Sequence, residues 1–462
     1  MKRLSPADQT FLWLEKRQQP MHVGGLLLFD FPKDAGSKYL TEMVEEMRKS
    51  DQPTAPFNQR LEKTSFGQYH WVEDEAFDLT HHFRHVALPK PGRIRELLAM
   101  VSAEHSHLMD RQRPLWEVHV IEGVRGKRFA IYNKVHHSMM DGVAAMRMTE
   151  KVLSNDPNER NMPPMWATTQ QAKKSRKSPS LVNAPRDMVS SLFQVSNNTR
   201  KQLSTIPTIT REITKNMLAA RRGDNDVVSF SAPDSIFNQR ITGSRRFAAQ
   251  SYSLERIKTL TKTFNCTLND IVLAVCGSAL RNYLISQNEL PNDPLIAMVP
   301  VSLRDDHSDA GNQIGMILAS LGTHIADPSD RLRHIQTIAD NAKSRLKHMT
   351  KEEVINYTAL SMAPSGIQML TGMAPKLRAF NVTISNVPGP SDPLYFNGAQ
   401  MSGMYPVSIP VDDMALNITL VSYNNQLEFG LTACRRTLPS MQRLLDYLSN
   451  GIAELEIAAN IK

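Results

Sequence analysis

Hydrophobic and polar positions follow two different periods along this chain, and the two periods predict its elements. Alternation of apolar and polar residues indicates strands, whereas apolar residues three and four apart indicate helices. In the first 155 residues the pattern predicts strands at 22–31, 67–77, 115–124 and 128–135 and helices at 37–50, 94–109 and 142–153. After residue 240 it predicts helices at 253–264 and 267–287 and strands at 295–304, 314–325, 380–387, 416–425 and 426–435. Two α/β halves of similar size favour a two-lobed protein.

The region between the halves has a different composition. Residues 156–235 are rich in proline and polar residues, and only two weak helical patterns, at 185–203 and 208–222, interrupt them. We therefore expect an N-terminal lobe at 1–155, a long connection at 156–235, and a C-terminal lobe at 236–462.

The positive charge is concentrated in this connection. The chain carries a net charge of +8, but 171–222 alone holds eleven Lys and Arg against two acidic residues, which leaves 43 basic and 44 acidic residues elsewhere. In the second weak helix Ile209, Ile213 and Met217 share one side, and Arg211 and Lys215 lie opposite. The segment fits either a solvated linker or an interfacial helix that binds anionic membrane or lipid-droplet surfaces. We expect no nucleic acid as a partner.

Other bulk features exclude several protein classes. The three cysteines are too few and too scattered for a disulfide framework or a zinc site. The N-terminus lacks the apolar core of a signal peptide, and the longest apolar run, IVLAVCGSAL, is shorter than the roughly 18 residues of a membrane span. We expect a cytoplasmic protein that associates with membranes peripherally.

The stretch KVHHSMMDG, residues 134–142, is the strongest candidate for chemistry, because it lies where a predicted strand ends and a helix begins. A zinc site would need ligands at spacings such as H-x-x-x-H, whereas adjacent His136 and His137 would point to opposite sides of a strand. Ordinary packing of one buried and one surface histidine also fits the pattern. A third interpretation is a general base, since imidazole titrates near working pH.

A series of motifs, taken together, resembles one family. HHSMMDG fits the HHxxxDG motif of the superfamily that includes chloramphenicol acetyltransferase and peptide-synthetase condensation domains. The series continues over nearly the whole chain and resembles the bacterial bifunctional wax ester synthase/acyl-CoA:diacylglycerol acyltransferases. The other motifs are LSPADQTFLWLE (4–15), RPLWEVHVIEG (113–123), NDIVLAVCGSALRNYL (269–284), VPVSLR (299–304), GNQIGMILASLGT (311–323) and NVTISNVPGP (381–390).

This resemblance implies a two-lobed α/β fold like that of chloramphenicol acetyltransferase, in which each lobe is a mixed sheet with helices and the active-site channel lies between them. It implies O-acyl transfer from long-chain acyl-CoA to a fatty alcohol or diacylglycerol, with acyl-CoA as a substrate and with no cofactor or metal. His137 would be the catalytic base, with His136 beside it. The residues that would support the site are Asp141 (paired with Arg304), Gly142, Asn269 and Asp270.

Several of these residues also have simpler interpretations. Thr267 and Asp270 have the spacing of a helix capping box, and Gly142 would relieve the backbone after Asp141. Thr383, Ser385 and Asn386 either contact the substrate or an oxyanion, or merely satisfy backbone groups at the end of a strand.

Two alternative functions remain at this level. One is an amide-forming condensation enzyme of the same superfamily, although this chain has no recognisable carrier domain. The other is a non-catalytic lipid-surface protein in which the basic segment is the functional part.

Overall fold

The structure is a computed structural model that describes residues 2–64, 67–168, 232–302, 314–347, 349, 353–354 and 378–461. The basic segment 171–222, with its two predicted weak helices, and Arg304 lie outside the described residues.

Strands and helices alternate along both halves of the chain. The strands are β1 (Lys2–Arg3), β2 (His22–Asp30), β3 (Gln59–Lys63), β4 (Tyr69–Glu73), β5 (Phe83–Ala87), β6 (Trp116–Val124), β7 (Arg128–His136), β8 (Arg245–Ser253), β9 (Ile296–Ser302), β10 (Ile314–Ser320), β11 (Val382–Val387), β12 (Tyr395–Phe396), β13 (Ala399–Val407), β14 (Leu416–Tyr423) and β15 (Gln426–Cys434). The α-helices are α1 (Pro6–Leu14), α2 (Tyr39–Arg48), α3 (Ile94–Glu104), α4 (Gly142–Val152), α5 (Leu254–Thr263), α6 (Leu268–Ser286), α7 (Pro328–Lys347) and α8 (Arg443–Ala458).

Two six-stranded mixed sheets form the framework. The first has the order β12-β13-β2-β7-β6-β5 and the second the order β10-β9-β11-β14-β15-β8, while β1, β4 and β3 form a small separate sheet. The predicted hairpin at 115–135 is confirmed, because β6 and β7 pair in antiparallel register. Helix α6 is apolar around most of its circumference and is buried over most of its length, as expected for a core helix.

The C-terminal half returns two strands to the first sheet. β13 pairs with β2 over 400–407, so that Tyr405 lies opposite Leu26, and β12 pairs with β13. The predicted C-terminal lobe, 236–462, therefore contains strands that complete the sheet of the N-terminal lobe. The pairing between these strands joins the two halves of the chain.

The second sheet is buried on both faces. One face packs on its own helices, and the other shares an apolar cluster with the first lobe. In β9, for example, Ala297 and Val299 belong to the first of these surfaces, whereas Ile296 and Met298 belong to the second. Burial on both sides explains why these strands are almost continuously apolar.

The length and hydropathy of the helices show whether any of them could span a membrane. Among the described residues, no single helix has the length and hydropathy of a membrane span, although the bent pair α5 and α6 meets those two criteria together. The angle between these two helices is 105°.

A buried carboxyl lies where strands of both sheets meet. Glu428 of β15 is completely buried and accepts a hydrogen bond of 2.5 Å from the Ser251 hydroxyl, which itself lies 2.9 Å from the Tyr405 hydroxyl of β13. Burial raises the pKa of Glu428 to about 7, in spite of the hydrogen bonds from Ser251 and Tyr405. The folded protein therefore holds this carboxyl protonated at mildly acidic pH.

This raised pKa predicts a pH-dependent gain in stability for Glu428→Gln. Between the ordinary carboxyl pKa and about 7, the unfolded chain releases a proton that the folded chain retains, so rising pH favours unfolding of the wild type. At about 1.4 kcal/mol per pKa unit, the variant should gain roughly 3 kcal/mol on the wild type between pH 4 and pH 8. Denaturant unfolding across this range measures the difference, with exposed Glu255→Gln as the control. A constant difference would mean that the pKa of Glu428 is the same in the folded and unfolded chains.

Candidate active site

His136 ends β7, and His137 begins the tight turn that leads to α4. The backbone C=O of His136 accepts hydrogen bonds from the N–H groups of Met139 (2.9 Å) and Met140 (3.2 Å). The N–H of His137 donates to the C=O of Met21 at 2.9 Å, just before β2 begins. Both histidines are thus fixed by backbone bonds at the end of a central strand, as the sequence predicts.

The ring of His136 is hydrogen-bonded through Nδ1 and faces a carboxylate with Nε2. The backbone N–H of Ser138 donates to Nδ1 at 3.1 Å, and the Ser138 hydroxyl lies 2.7 Å from the same atom. A backbone N–H can only donate, so Nδ1 is an acceptor and the ring proton is on Nε2. Nε2 lies 3.3 Å from Oε1 of Glu15. His136 is 1% exposed, so its ring is closed off from a substrate.

Glu15 is a buried carboxylate that remains ionised. Burial alone raises its pKa, but the hydrogen bond and electrostatic attraction of His136, the guanidinium of Arg111 and the N–H of Met21 together lower it to about 2. Arg111 donates to Oε2 through Nε at 3.0 Å and through Nη2 at 2.8 Å. The carboxylate therefore carries a full negative charge at the back of the histidine pair.

The ring of His137 lies against the N-terminal helix. Its centroid is 4.0 Å from that of Phe11 in α1, with 23° between the ring planes, and the residue is only 7% exposed. Phe11 and the methionines on both sides of the turn belong to the apolar cluster shared by the two lobes; these methionines are Met21, Met139 and Met140. Burial in this cluster keeps water away from the ring of His137.

A second pair of histidines lies behind β7 and stays neutral. His22 pairs in register with His136 across β2 and β7, and its Nε2 donates to the C=O of His105 at 2.9 Å. Burial lowers the pKa of His105 to about 3 and that of His22 well below its usual range. These rings pack and orient the strand but do not exchange protons near neutral pH.

Asp141 caps the helix that follows the histidines. Its Oδ1 accepts a 2.7 Å hydrogen bond from the N–H of Ala144, and the residue is 1% exposed. Its Oδ2 is buried and has no hydrogen-bond partner among the described residues. Arg304 lies outside those residues, so the pairing of Asp141 with Arg304 stays a prediction.

Gly142 does not have the role expected from the sequence. It is exposed, it does not have a positive φ, and a Cβ added there would meet no atom within 4 Å. Backbone relief is therefore wrong as the reason for glycine at this position. What the residue provides is open space beside the first turn of α4.

The ND and NVTISN motifs meet across the second lobe. Asn386 at the end of β11 donates from Nδ2 to Oδ1 of Asn269 in the first turn of α6 at 2.9 Å. Asp270 forms the predicted capping box, since its Oδ2 accepts from the N–H of Thr267 at 2.9 Å. Lys343 of α7 lies 3.8 Å from the other carboxylate oxygen of Asp270. Asp270 thus serves the helix, and Asn269 connects it to the strand.

The other two polar residues of β11 differ in exposure. The hydroxyl of Thr383 is buried and lies 2.7 Å from the sulfur of Met414, a member of the apolar cluster shared by the lobes. Ser385, two residues further along the same face, is half-buried. Ser385 and half-buried Asn386 are therefore the more accessible candidates for a substrate contact.

Carboxylate and imidazole groups also gather beside β7. Among the described residues, Glu104, Glu117 and His119 lie close enough to hold a cation. The ammonium of Lys134 lies there instead, 3.0 Å from Glu117 and 3.2 Å from the backbone C=O of Glu104. The ammonium of Lys134 therefore pairs with Glu117 at the place that a cation would occupy.

Sequence reasoning did not identify Glu15, Phe11 or Ser138 as site residues. Phe11 and Glu15 are four residues apart in LSPADQTFLWLE, so they lie on the same side of the N-terminal helix. That spacing was a usable signal, but nothing in it indicates that the helix packs on residues 136 and 137.

Comparisons with known proteins agree with this geometry. The model of the wax ester synthase/diacylglycerol acyltransferase catalytic domain matches residues 4–272, and that of the WS/DGAT C-terminal domain matches 310–456. O-acyltransferase WSD of Acinetobacter baylyi is 49% identical over 99% of this chain and 97% of its own length. A probable diacylglycerol O-acyltransferase of Mycobacterium tuberculosis, tgs2, is 40% identical over the full length of both chains.

Solved structures give the same result for the fold. The wax ester synthase/diacylglycerol acyltransferase of Marinobacter aquaeolei VT8 is 51% identical and superposes with a TM-score of 0.82 over the whole of both chains. The first condensation domain of the calcium-dependent antibiotic synthetase shares the fold at 14% identity, with a TM-score of 0.60 over 99% of this chain and 96% of that domain. The predicted two-lobed acyltransferase fold is confirmed, and the chain belongs to the wax ester synthase/diacylglycerol acyltransferase family.

Proposed function

We propose that the protein transfers a long-chain acyl group from acyl-CoA to the hydroxyl of a fatty alcohol or of diacylglycerol, giving wax ester or triacylglycerol. The observation that carries this proposal is the family match over both halves of the chain, with the HHxxxDG histidines on a rigid strand-to-helix turn. The apolar, methionine-containing surroundings of His137 suit long acyl chains, because methionine side chains adapt to irregular apolar shapes.

In the proposed reaction His137 acts twice. It takes the proton of the acceptor hydroxyl while the oxygen attacks the thioester carbonyl, forming the new C–O bond. As the tetrahedral intermediate collapses, the C–S bond breaks and His137 returns the proton to the leaving thiolate, releasing CoA. One base serves both transfers, so no covalent acyl-enzyme and no cofactor are required.

The negative oxygen of the intermediate needs a preorganised donor. We assign this role to the polar end of β11, where half-buried Asn386 and Ser385 are the accessible candidates and buried Thr383 contacts Met414. The Asn386 amide is already fixed by Asn269, so its orientation costs little during the reaction.

A product assay tests the function directly. Purified protein is given palmitoyl-CoA with hexadecanol, with diacylglycerol or with a long-chain amine, and free CoA and products are measured. Ester formation from the alcohols supports the proposal. Amide formation without ester would favour the condensation-type alternative, and lipid binding without CoA release would favour the non-catalytic alternative.

We further propose that the basic segment 171–222 brings the protein to the cytoplasmic face of a membrane or to lipid inclusions. Fatty alcohols and diacylglycerol partition into membranes, so the active site must reach a lipid surface. Support comes from the sequence, because helical spacing would place Ile209, Ile213 and Met217 opposite Arg211 and Lys215.

This proposal predicts salt-sensitive binding to anionic liposomes. Each Lys or Arg near an anionic surface contributes about 1 kcal/mol, and salt screens the effect. Changing Arg211, Lys215, Arg221 and Arg222 to Gln should greatly weaken co-sedimentation at low salt and leave turnover of detergent-dispersed substrate intact. Four matched changes at exposed basic residues outside the segment, Lys38, Lys49, Arg84 and Lys258, are the control. Equal binding by the parent and the segment variant would make the segment a linker only.

A further inference from the structure

The N-terminal helix contacts both histidines of the motif. Ser5 caps α1 by accepting from the N–H of Asp8, which fixes where the helix begins. Phe11 and the residue at the end of the helix, Glu15, then lie one turn apart on the same side. Phe11 stacks on the ring of His137, and Glu15 meets Nε2 of His136.

Glu15 also reaches His137 through the backbone. Its Oε1 accepts from the N–H of Met21 at 3.2 Å, and the C=O of Met21 accepts from the N–H of His137 at 2.9 Å. One carboxylate therefore holds the side chain of the first histidine and the backbone position of the second.

We propose that Glu15 is a positioning residue for the acyl transfer, acting through His136 and Met21 to hold His137 and to favour its protonated state. This inference rests on the proposed function, because it presumes that His137 is the base. It assigns a role in the reaction to the LSPADQTFLWLE segment, which the sequence alone marks only as part of the family resemblance.

The electrostatic part of the inference follows from the charges around the pair. Glu15 is ionised and 4% exposed in its side chain, so water screens it poorly. A negative charge held against His136 favours the imidazolium that forms when the adjacent His137 accepts a proton. Arg111 contacts Glu15 directly, and the other charged or titratable groups described around this pair are His22, His105 and Lys134.

Glu15→Gln tests the inference while conserving shape. The variant keeps an oxygen that accepts from Met21 and His136 but loses the charge. We expect kcat to fall about tenfold, with KM for acyl-CoA unchanged, and the acidic limb of the kcat/KM profile to move to lower pH, because His137 loses a charge that favours its protonation. The matched control is Glu117→Gln, a change at another largely buried carboxylate of the same lobe whose pKa is lowered to about 2.

The outcomes separate the inference from the function on which it rests. Glu117→Gln should lower the melting temperature but leave the pH profile in place. If Glu15→Gln lowers only the melting temperature and leaves kcat and the acidic limb as in the wild type, Glu15 is structural and the inference is wrong. The His137→Ala variant tests the mechanism separately. If it loses ester formation, His137 remains the proposed base even when the Glu15 inference is wrong, whereas full activity of His137→Ala would overturn the mechanism itself.

Discussion

Replacing His137 with alanine should remove most of the ester-forming activity and leave the fold intact. A positioned general base contributes about 10² to 10⁴ in rate, and no described neighbour can replace it. His136 uses Nδ1 to accept from Ser138 and points Nε2 at Glu15, and the pKa values of His22 and His105 are too low for proton transfer near neutral pH. CoA release from palmitoyl-CoA with hexadecanol, measured at saturating substrate, gives the size of the loss.

The matched variant is His136→Ala, which removes the neighbouring ring. It should leave more activity than His137→Ala but should lower the melting temperature more, because the buried carboxylate of Glu15 loses one of its partners. Equal loss of rate in both variants would contradict the assignment of separate roles. Unchanged turnover in His137→Ala would exclude it as the base.

The strand, turn and helix that carry the histidines could be predicted from the sequence, because they depend on residues that are close together in the chain. The alternation in 115–135 predicted the β6–β7 hairpin, and the change to helical spacing after residue 141 predicted α4. The capping box of Thr267 and Asp270 was also found from spacing alone. In each case the residues that interact are a few positions apart, so their pattern carries the information.

Contacts between distant segments could not be predicted in this way. Glu15 and His136 are 121 positions apart, and β13 and β2 are separated by more of the chain still, so no periodicity links them. Gly142 shows that a local prediction can also be wrong. The glycine in the motif suggested a strained backbone, but the structure has no positive φ there and open space around the residue. The local pattern predicts which helix or strand a residue belongs to. Which distant residue its side chain contacts depends on the tertiary fold.

Substitutions at Asp141 should have the largest effect on stability, and two of them separate its two roles. Asparagine is as good an N-cap as aspartate, so Asp141→Asn keeps the bond to the N–H of Ala144 and loses only the charge. If buried Oδ2 pairs with Arg304, leaving one partner of a buried ion pair alone costs about 3–5 kcal/mol. Asp141→Ala should cost about 1 kcal/mol more, since the cap is lost as well.

The control is Asp78→Asn, where an exposed aspartate caps a short 3-10 helix through the N–H of Thr80. That change should leave the free energy of unfolding close to that of the wild type, because the side chain is exposed. The pair itself is tested by Arg304→Gln and the double variant, because residues in direct contact give less than additive losses in the free energy of unfolding. Strict additivity, or an Asp141→Asn protein as stable and as active as the wild type, would show that Asp141 is only a helix cap. A stable Asp141→Asn protein with an impaired rate would instead give the carboxylate a direct part in the reaction.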